Sequence, residues 1–488
     1  MDKTCGFHFY VNIKNIVEII NGDEGKNDDL KRSIHRLHTY FCGLTKVVRK
    51  YGGTVEKFTN GRCHIFLEKN ETETDGNYKI RINDLLVATM YFSDDIFNSI
   101  PKYKDYTRFK VQAGLDYGEF YKYDIEGLDE FTTIGAVANV AAKLTSFSLA
   151  KEIYITDGAR EQLAVEDKKM FESVDESKAK EIQECLKGSP SIYYSKYMLL
   201  NKRDEVTSFL ETIREEYKAL ANSVNLSEIE FEDARTKIDF KQLSLKKNKQ
   251  ITAGILFADI RGFTKLFNVS GNNLDNLKLI LVHLYKKMNS AVEKHDGVRV
   301  QFQGDRIVAV FNKTYSQRCD EMVRMFEAAL EIKAGVKEIS DKYADELNNK
   351  QIKVGIGLCY GEFYATCLGT RGHKDKLVLG RTASSGDVAE DQYALHDEIV
   401  LSKECKEQIS KIAEETLPEG IVIEEKLEPV STTGFYRTNI DESTYKKEVK
   451  DVELELRTVD ENKKSAIAMT NVMGVNAKRE NVVRPHRR

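Results

Sequence analysis

Ile255–Phe267 reads ILFADIRGFTKLF, and Val298–Phe311 reads VRVQFQGDRIVAVF. The first piece is an apolar run that reaches Asp259 and then turns through Arg261-Gly262-Phe263-Thr264 toward a helix, the pattern of a buried strand ending in a carboxylate. The second alternates on either side of Gly304-Asp305, the pattern of a hairpin with Asp305 at or beside its tip. A strand-end aspartate and a hairpin aspartate can meet over one or two Mg²⁺ or Mn²⁺ ions, because hard cations take carboxylate oxygens. Taken singly, Asp259 could equally cap the next helix and Asp305 could equally serve the turn. Their joint context carries the case for metal.

Outward from this stretch, the chain repeats itself. VQAGLDYGEFY at Val111 returns as VGIGLCYGEFY at Val354, and EIYITDGAREQL at Glu152 returns as EIVLSKECKEQI at Glu398. At nearly the same displacement, Asn60-Gly61 falls opposite Gly304-Asp305, and Asn12 falls opposite Asp259. The period is too long for a solenoid and suits two copies of one βαββαβ-type module paired as a pseudo-dimer. In the first copy, CGFHFYVNI (Cys5–Ile13) reads as a strand and Leu30–Arg49 as a helix stopped by Tyr51-Gly52-Gly53. Val55–Thr59 and Cys63–Leu67 form a hairpin around Asn60-Gly61, and Phe109–Leu115 and Glu119–Tyr123 read as two further strands. The expected units are residues 1–200 and 251–440, joined by a charged, helix-prone connector over 201–250. A polar tail over 441–488 ends in the basic run AKRENVVRPHRR, read as solvated.

Composition bounds the function. A chain of 488 residues holds two or three substantial cores, and its mix of 41% hydrophobic and 31% charged residues is that of a soluble globular protein. A net charge of −4, with lysine and glutamate interspersed, gives no footprint for nucleic acid. The eight cysteines form no C-x-x-C pair, and no apolar run reaches membrane-spanning length, so the expectation is a reduced, cytoplasmic protein without a membrane partner.

FADIRGFT followed by a Gly-Asp hairpin resembles the catalytic domain of class III nucleotidyl cyclases, and the resemblance covers both copies. It implies an α+β fold of two ferredoxin-like, palm-type modules, here as an intramolecular pseudo-dimer with the nucleoside triphosphate in the groove between them. In that family one domain holds two divalent metals on two aspartates. The partner supplies base-reading residues, an Asn for the ribose, an Arg for the transition state, and a Lys for the distal phosphate.

Carried onto this chain, the resemblance makes the copies complementary. The second copy keeps the metal set, Asp259, Ile260 and Asp305, but its helix GRTASSGDV has Ser384 and Val388 where Asn and Arg belong. The first copy has Asn12 and Gly61 at the metal positions. Its helix supplies Asn139 at the Asn position and Lys143 at the Arg position, with Lys57 and Thr132 at the base-reading positions and Lys187 at the phosphate lysine. One composite site is therefore expected to be complete, with two Mn²⁺ or Mg²⁺ ions and the chain acting as a monomer.

Chemistry supports that assignment. Metal held by Asp259 and Asp305 would lower the pKa of a ribose 3′-hydroxyl and neutralise leaving pyrophosphate. Backbone N–H groups from Ile260 to Thr264, including Phe263, are placed to donate to phosphate oxygens. Asn139 would orient the ribose and Lys143 would meet charge on the α-phosphoryl group, as a point charge rather than a guanidinium fork. In the family a Lys with Asp or Thr reads adenine, and Glu with Cys reads guanine. Lys57 with Thr132 thus argues against GTP, while a lysine donates equally well to a uracil or cytosine carbonyl. Bare tandem cyclases resemble those of the Pycsar antiphage systems, which make cyclic CMP or cyclic UMP for a separate effector, and the expectation leans to a pyrimidine cyclase. An adenylate cyclase, a catalytically weak nucleotide sensor and a palm-type polymerase stay as alternatives, the last lacking a basic channel.

Overall fold

Alternation along β1 (Lys3–Ile13) sets the layers of the first half. Phe7, Phe9, Val11 and Ile13 enter one core, so His8, Tyr10 and Asn12 face the other way, as a two-residue period requires. The structure, a computed structural model, describes residues 3–21, 27–59, 61–125, 127–128, 130–186, 188–234, 236–262, 274–313, 321–459 and 461. Helix α1 (Asn27–Lys50) covers the apolar side of the sheet through Leu37, Phe41 and Leu44. The other strands are β2 (Thr54–Thr59), β3 (Arg62–Glu68), β4 (Val111–Ile125), β5 (Glu130–Ile134), β6 (Glu152–Thr156), β7 (Glu172–Ser173) and β8 (Ile192–Lys196). They run in the order β2-β3-β1-β4-β6-β8-β7, with β5 paired to β4 and helix α2 (Ala136–Phe147) following β5.

The second half repeats this order. After helix α3 (Asp204–Ser223) and β9 (Glu230–Asp233) come β10 (Lys247–Arg261), helix α4 (Leu274–Lys294), β11 (Val298–Gln303) and β12 (Arg306–Phe311). Helix α5 (Glu321–Lys342), β13 (Lys353–Thr370), β14 (His373–Leu379), helix α6 (Arg381–Val388) and β15 (Ile399–Leu401) follow, then β16 (Glu428–Pro429) and β17 (Tyr436–Thr438). The sheet order is β11-β12-β10-β13-β15-β17-β16, with β14 on β13. The fold is thus α+β, two modules of one topology. The modules exchange arms. Tyr121, Ile125 and Ile134 of β4 and β5 lie in the second core, and Leu368, Leu377 and Leu379 of β13 and β14 lie in the first. Apolar burial of this kind holds the halves face to face.

Three features differ from the sequence reading. Val111–Ile125 is one strand and not a pair around Tyr117-Gly118, because its first part pairs with β1 and its last part with β5, so no turn is needed. The connector is not helix alone. In α3, Val206, Leu210, Ile213, Tyr217 and Ala221 form a stripe at helical spacing that is buried in the first core, and β9 then pairs parallel with β10. The tail begins with a helix over 442–459, anchored by Tyr445, whose ring lies 5.8 Å from that of Phe326. The basic end of the tail lies outside the described residues.

Candidate active site

In β10, Ile255 and Phe257 lie on the face that carries Asp259, while Leu256, Ala258 and Ile260 enter the second core. Asp259 pairs in register with Arg306, the residue after Asp305. The β11–β12 turn therefore brings Asp305 beside Asp259, as the hairpin pattern predicts. Gly304 makes that turn with φ +67°, a left-handed conformation that favours glycine. Burial drives the Asp305 carboxyl well above the usual range, and the neighbouring Asp259 carboxylate adds to it. Burial likewise raises Asp259, against the pull of Arg261, which donates to its Oδ2 at 3.0 Å. Two repelling, partly buried carboxylates, one drawing a guanidinium onto itself, are a donor set that fits hard divalent cations. The side chain of Ile260 is buried among apolar groups, so only its main chain is available to a cation.

Opposite this pair stands the first half. Asp259 lines a cavity of about 200 Å³ with Asn139, Lys57, Glu56 and Arg62. Asn139 projects from α2 toward the hairpin, and a Cβ built on Gly304 would sit 3.9 Å from its Oδ1. The Lys57 ammonium donates to Glu130 Oε1 at 2.6 Å and, across the interface, to the Phe302 carbonyl at 2.5 Å. Burial pushes Glu130 up, but Lys57 and Arg299 outweigh it and hold the carboxyl below its ordinary value. In the first half Asn12 and Gly61 hold the matching positions, neither of them a carboxylate.

Other expected residues are placed differently. Thr132 is 1% exposed and donates to Glu56 Oε1 at 3.2 Å, so it stands behind Glu56 rather than on the cavity wall. Lys143 faces a neighbouring cavity of about 440 Å³, and its ammonium donates to the Cys185 carbonyl at 3.0 Å. Lys187, Phe263 and Thr264 lie outside the described residues.

Residues 245–422 match the family described as the adenylate and guanylate cyclase catalytic domain. The second half of the chain is therefore similar to a class III nucleotidyl cyclase catalytic domain. A uridylate cyclase from Pseudomonas aeruginosa is 23% identical over 398 residues, which cover 78% of this chain and 73% of that protein. The crystal structure of a class III adenylyl cyclase-like ATP-binding protein from Pseudomonas aeruginosa superposes with a TM-score of 0.69 at 17% identity, covering 92% of this chain and 90% of that one. That match extends across both halves, so the tandem arrangement itself is a shared fold.

Within the cavity, strand alternation conceals part of the site. A bulge between Val55 and Lys57 breaks the two-residue period of β2, and Glu56 lines the same cavity as Lys57. Burial alone would raise Glu56, but His64, Lys57 and Thr133 bring it down to about 2. His64 Nδ1 lies 3.1 Å from Glu56, its Nε2 lies 2.8 Å from His8 Nδ1, and its ring stacks on Tyr10 at 4.2 Å. The buried His8 is held neutral by desolvation, with His64 adding to the effect. Tyr10, Glu56 and His64 also border a small cleft with Asp305 and Asn139, so a ligand over the Gly304-Asp305 turn would meet them. The alternation of β1 was the available signal for Tyr10 and His8, since it turns both away from the core.

Proposed function

We propose that the chain cyclises a pyrimidine nucleoside triphosphate, UTP or CTP, to its 3′,5′-cyclic monophosphate and pyrophosphate, at one site built from both halves. The observation that carries this is the Asp259–Asp305 pair of one half facing Asn139 and Lys57 of the other across a single cavity edge. Two divalent ions, Mg²⁺ or Mn²⁺, held by Asp259, Asp305 and the Ile260 main chain, would lower the pKa of the ribose hydroxyl and offset phosphate charge. Asn139 would orient the ribose, and its place beside Gly304 supports that role. Lys57 would donate to a base carbonyl, with Thr132 acting through Glu56. The family resemblance adds phosphate roles for Lys187, Phe263 and Thr264 and gives the transition-state role to Lys143, whose ammonium donates to the Cys185 carbonyl beside the neighbouring cavity. The likeness to a uridylate cyclase supports a pyrimidine base. The product would be a messenger for a separate effector, as in antiphage signalling, and the cyclase would meet its substrate in the cytoplasm. No described helix is long and apolar enough to cross a membrane.

Incubating the full chain with each of the four triphosphates and Mn²⁺ tests this. Cyclic UMP or cyclic CMP as the main product supports it. Cyclic AMP in excess would instead make the chain an adenylate cyclase, and no cyclic product would leave it a nucleotide-binding protein.

A further inference from the structure

A triphosphate entering the cavity brings several negative charges to a wall that already holds Glu56, Asp259, Glu390 and Asp391. Lys57, Arg62 and Arg306 are the cations on that wall among the described residues. Two are committed. Lys57 is held by Glu130 and the Phe302 carbonyl, and Arg306 bonds Asp387 and lies 3.2 Å from Glu390. The Arg62 guanidinium makes no hydrogen bond or ion pair within 4.0 Å among the described residues, although Arg62 lines both this cavity and the adjoining one.

The repeat explains why. Arg62 and Arg306 are matching residues, each following its hairpin tip. Arg306 is neutralised inside its own half by Asp387 and Glu390, whereas α2 carries Ala142 and Thr145 at the matching places. The first half has the guanidinium without the carboxylates that occupy its counterpart. Burial lowers the Arg62 pKa and the like charge of Arg306 adds to it, against the pull of Tyr10, Asp387 and Asp391, so this cation has no counter-charge within 4.0 Å among the described residues.

We propose that Arg62 is a catalytic residue that meets the substrate's α-phosphoryl group, the role which the sequence pattern gives to Lys143. This rests on the cyclase reading of the site. In the reaction the ribose 3′-oxygen bonds to the α-phosphorus while the bond from that phosphorus to the pyrophosphate oxygen breaks. The electron pair leaves with pyrophosphate, and the hydroxyl proton passes to water. Arg62 offers forked N–H donors to oxygens on which charge grows, and such contacts act mainly on the transition state.

The test compares full-length Arg62→Ala, Arg62→Lys and Lys143→Ala, each first checked for an unchanged melting curve. Arg62→Ala should lower kcat by about 100- to 1000-fold with a smaller change in KM, Arg62→Lys should recover part of the loss, and Lys143→Ala should fall less than Arg62→Ala. Calorimetry with inorganic tripolyphosphate in chelator, free of metal, should show weaker binding by about tenfold or more in Arg62→Ala. An Arg62→Ala enzyme within threefold of wild type in kcat and unaltered in tripolyphosphate binding overturns the proposal, and a large loss in Lys143→Ala would return the role to that residue. If wild type forms no cyclic nucleotide, the cyclase reading itself has failed, and the tripolyphosphate result alone decides whether Arg62 holds phosphate.

Discussion

Lys57 of the first half donates to the main-chain oxygen of Phe302 in the second half at 2.5 Å. Phe302 lies on β11, the strand that runs into the Gly304-Asp305 turn, so the residue expected to read the base is held in register with the hairpin expected to hold metal. Glu130 closes the arrangement, taking the Lys57 ammonium at 2.6 Å and the Phe302 N–H at 3.3 Å, with the Arg299 guanidinium on its other oxygen. The residues proposed to read the base and to hold metal are therefore joined through one small polar network at the seam.

Asp259→Asn or Asp305→Asn should abolish turnover while leaving the fold intact. Each removes a carboxylate from a pair already strained by burial and mutual repulsion, so the variants should be at least as stable as wild type without metal. Added Mn²⁺ should raise the melting temperature of wild type and not of Asp305→Asn, since only a ligand bound to the native state stabilises it. Activity retained by either variant at saturating Mn²⁺ would remove the metal assignment.

Lys57→Ala should raise KM by about 10- to 100-fold and blunt the preference among bases, the loss of one charge-assisted hydrogen bond. Competition between triphosphates in one reaction measures the preference directly. A variant with wild-type selectivity would mean that Glu56, next to Lys57 and facing the same cavity, reads the base alone.

Stability without metal should depend on pH through Asp375. Burial raises this carboxyl to about 7, with its Oδ2 accepting the Phe58 N–H at 3.1 Å and Lys57, Glu130 and Glu56 close enough to act on it. A folded pKa above the unfolded value of 3.8 gives stability that is complete below that value and is lost as pH rises through about 7. The melting curves of wild type and Asp375→Asn should converge toward pH 4 and separate toward pH 8, with the variant more stable at the upper end. Parallel curves across that range would place the titration elsewhere.

The sequence carried the repeat, the strand-end Asp259 and the hairpin Asp305, because short-range turn chemistry and two-residue alternation are local properties. It did not carry the bulge that turns Glu56 into the cavity, since a bulge is set by how β2 pairs with β3. Nor did it show Lys143 drawn to the Cys185 carbonyl, or α3 packed into the first core, both of which depend on neighbours distant along the chain. The VQAGLDYGEFY repeat misled at one point. Tyr-Gly suggested a turn, yet in Val111–Ile125 the glycine lies within an unbroken strand.

The central claim is that both halves of one chain build one site, and mixing variants under dilution tests it most directly. Specific activity should stay constant as protein is diluted, because the tether holds the halves at roughly millimolar effective concentration. Folded Asp259→Asn and Asn139→Ala chains, each impaired through a different half, should not restore activity when mixed, with size-exclusion chromatography run alongside to exclude exchanged halves. Activity that falls on dilution, or that returns in a mixed dimer without exchange, would contradict the account and place the working site between chains.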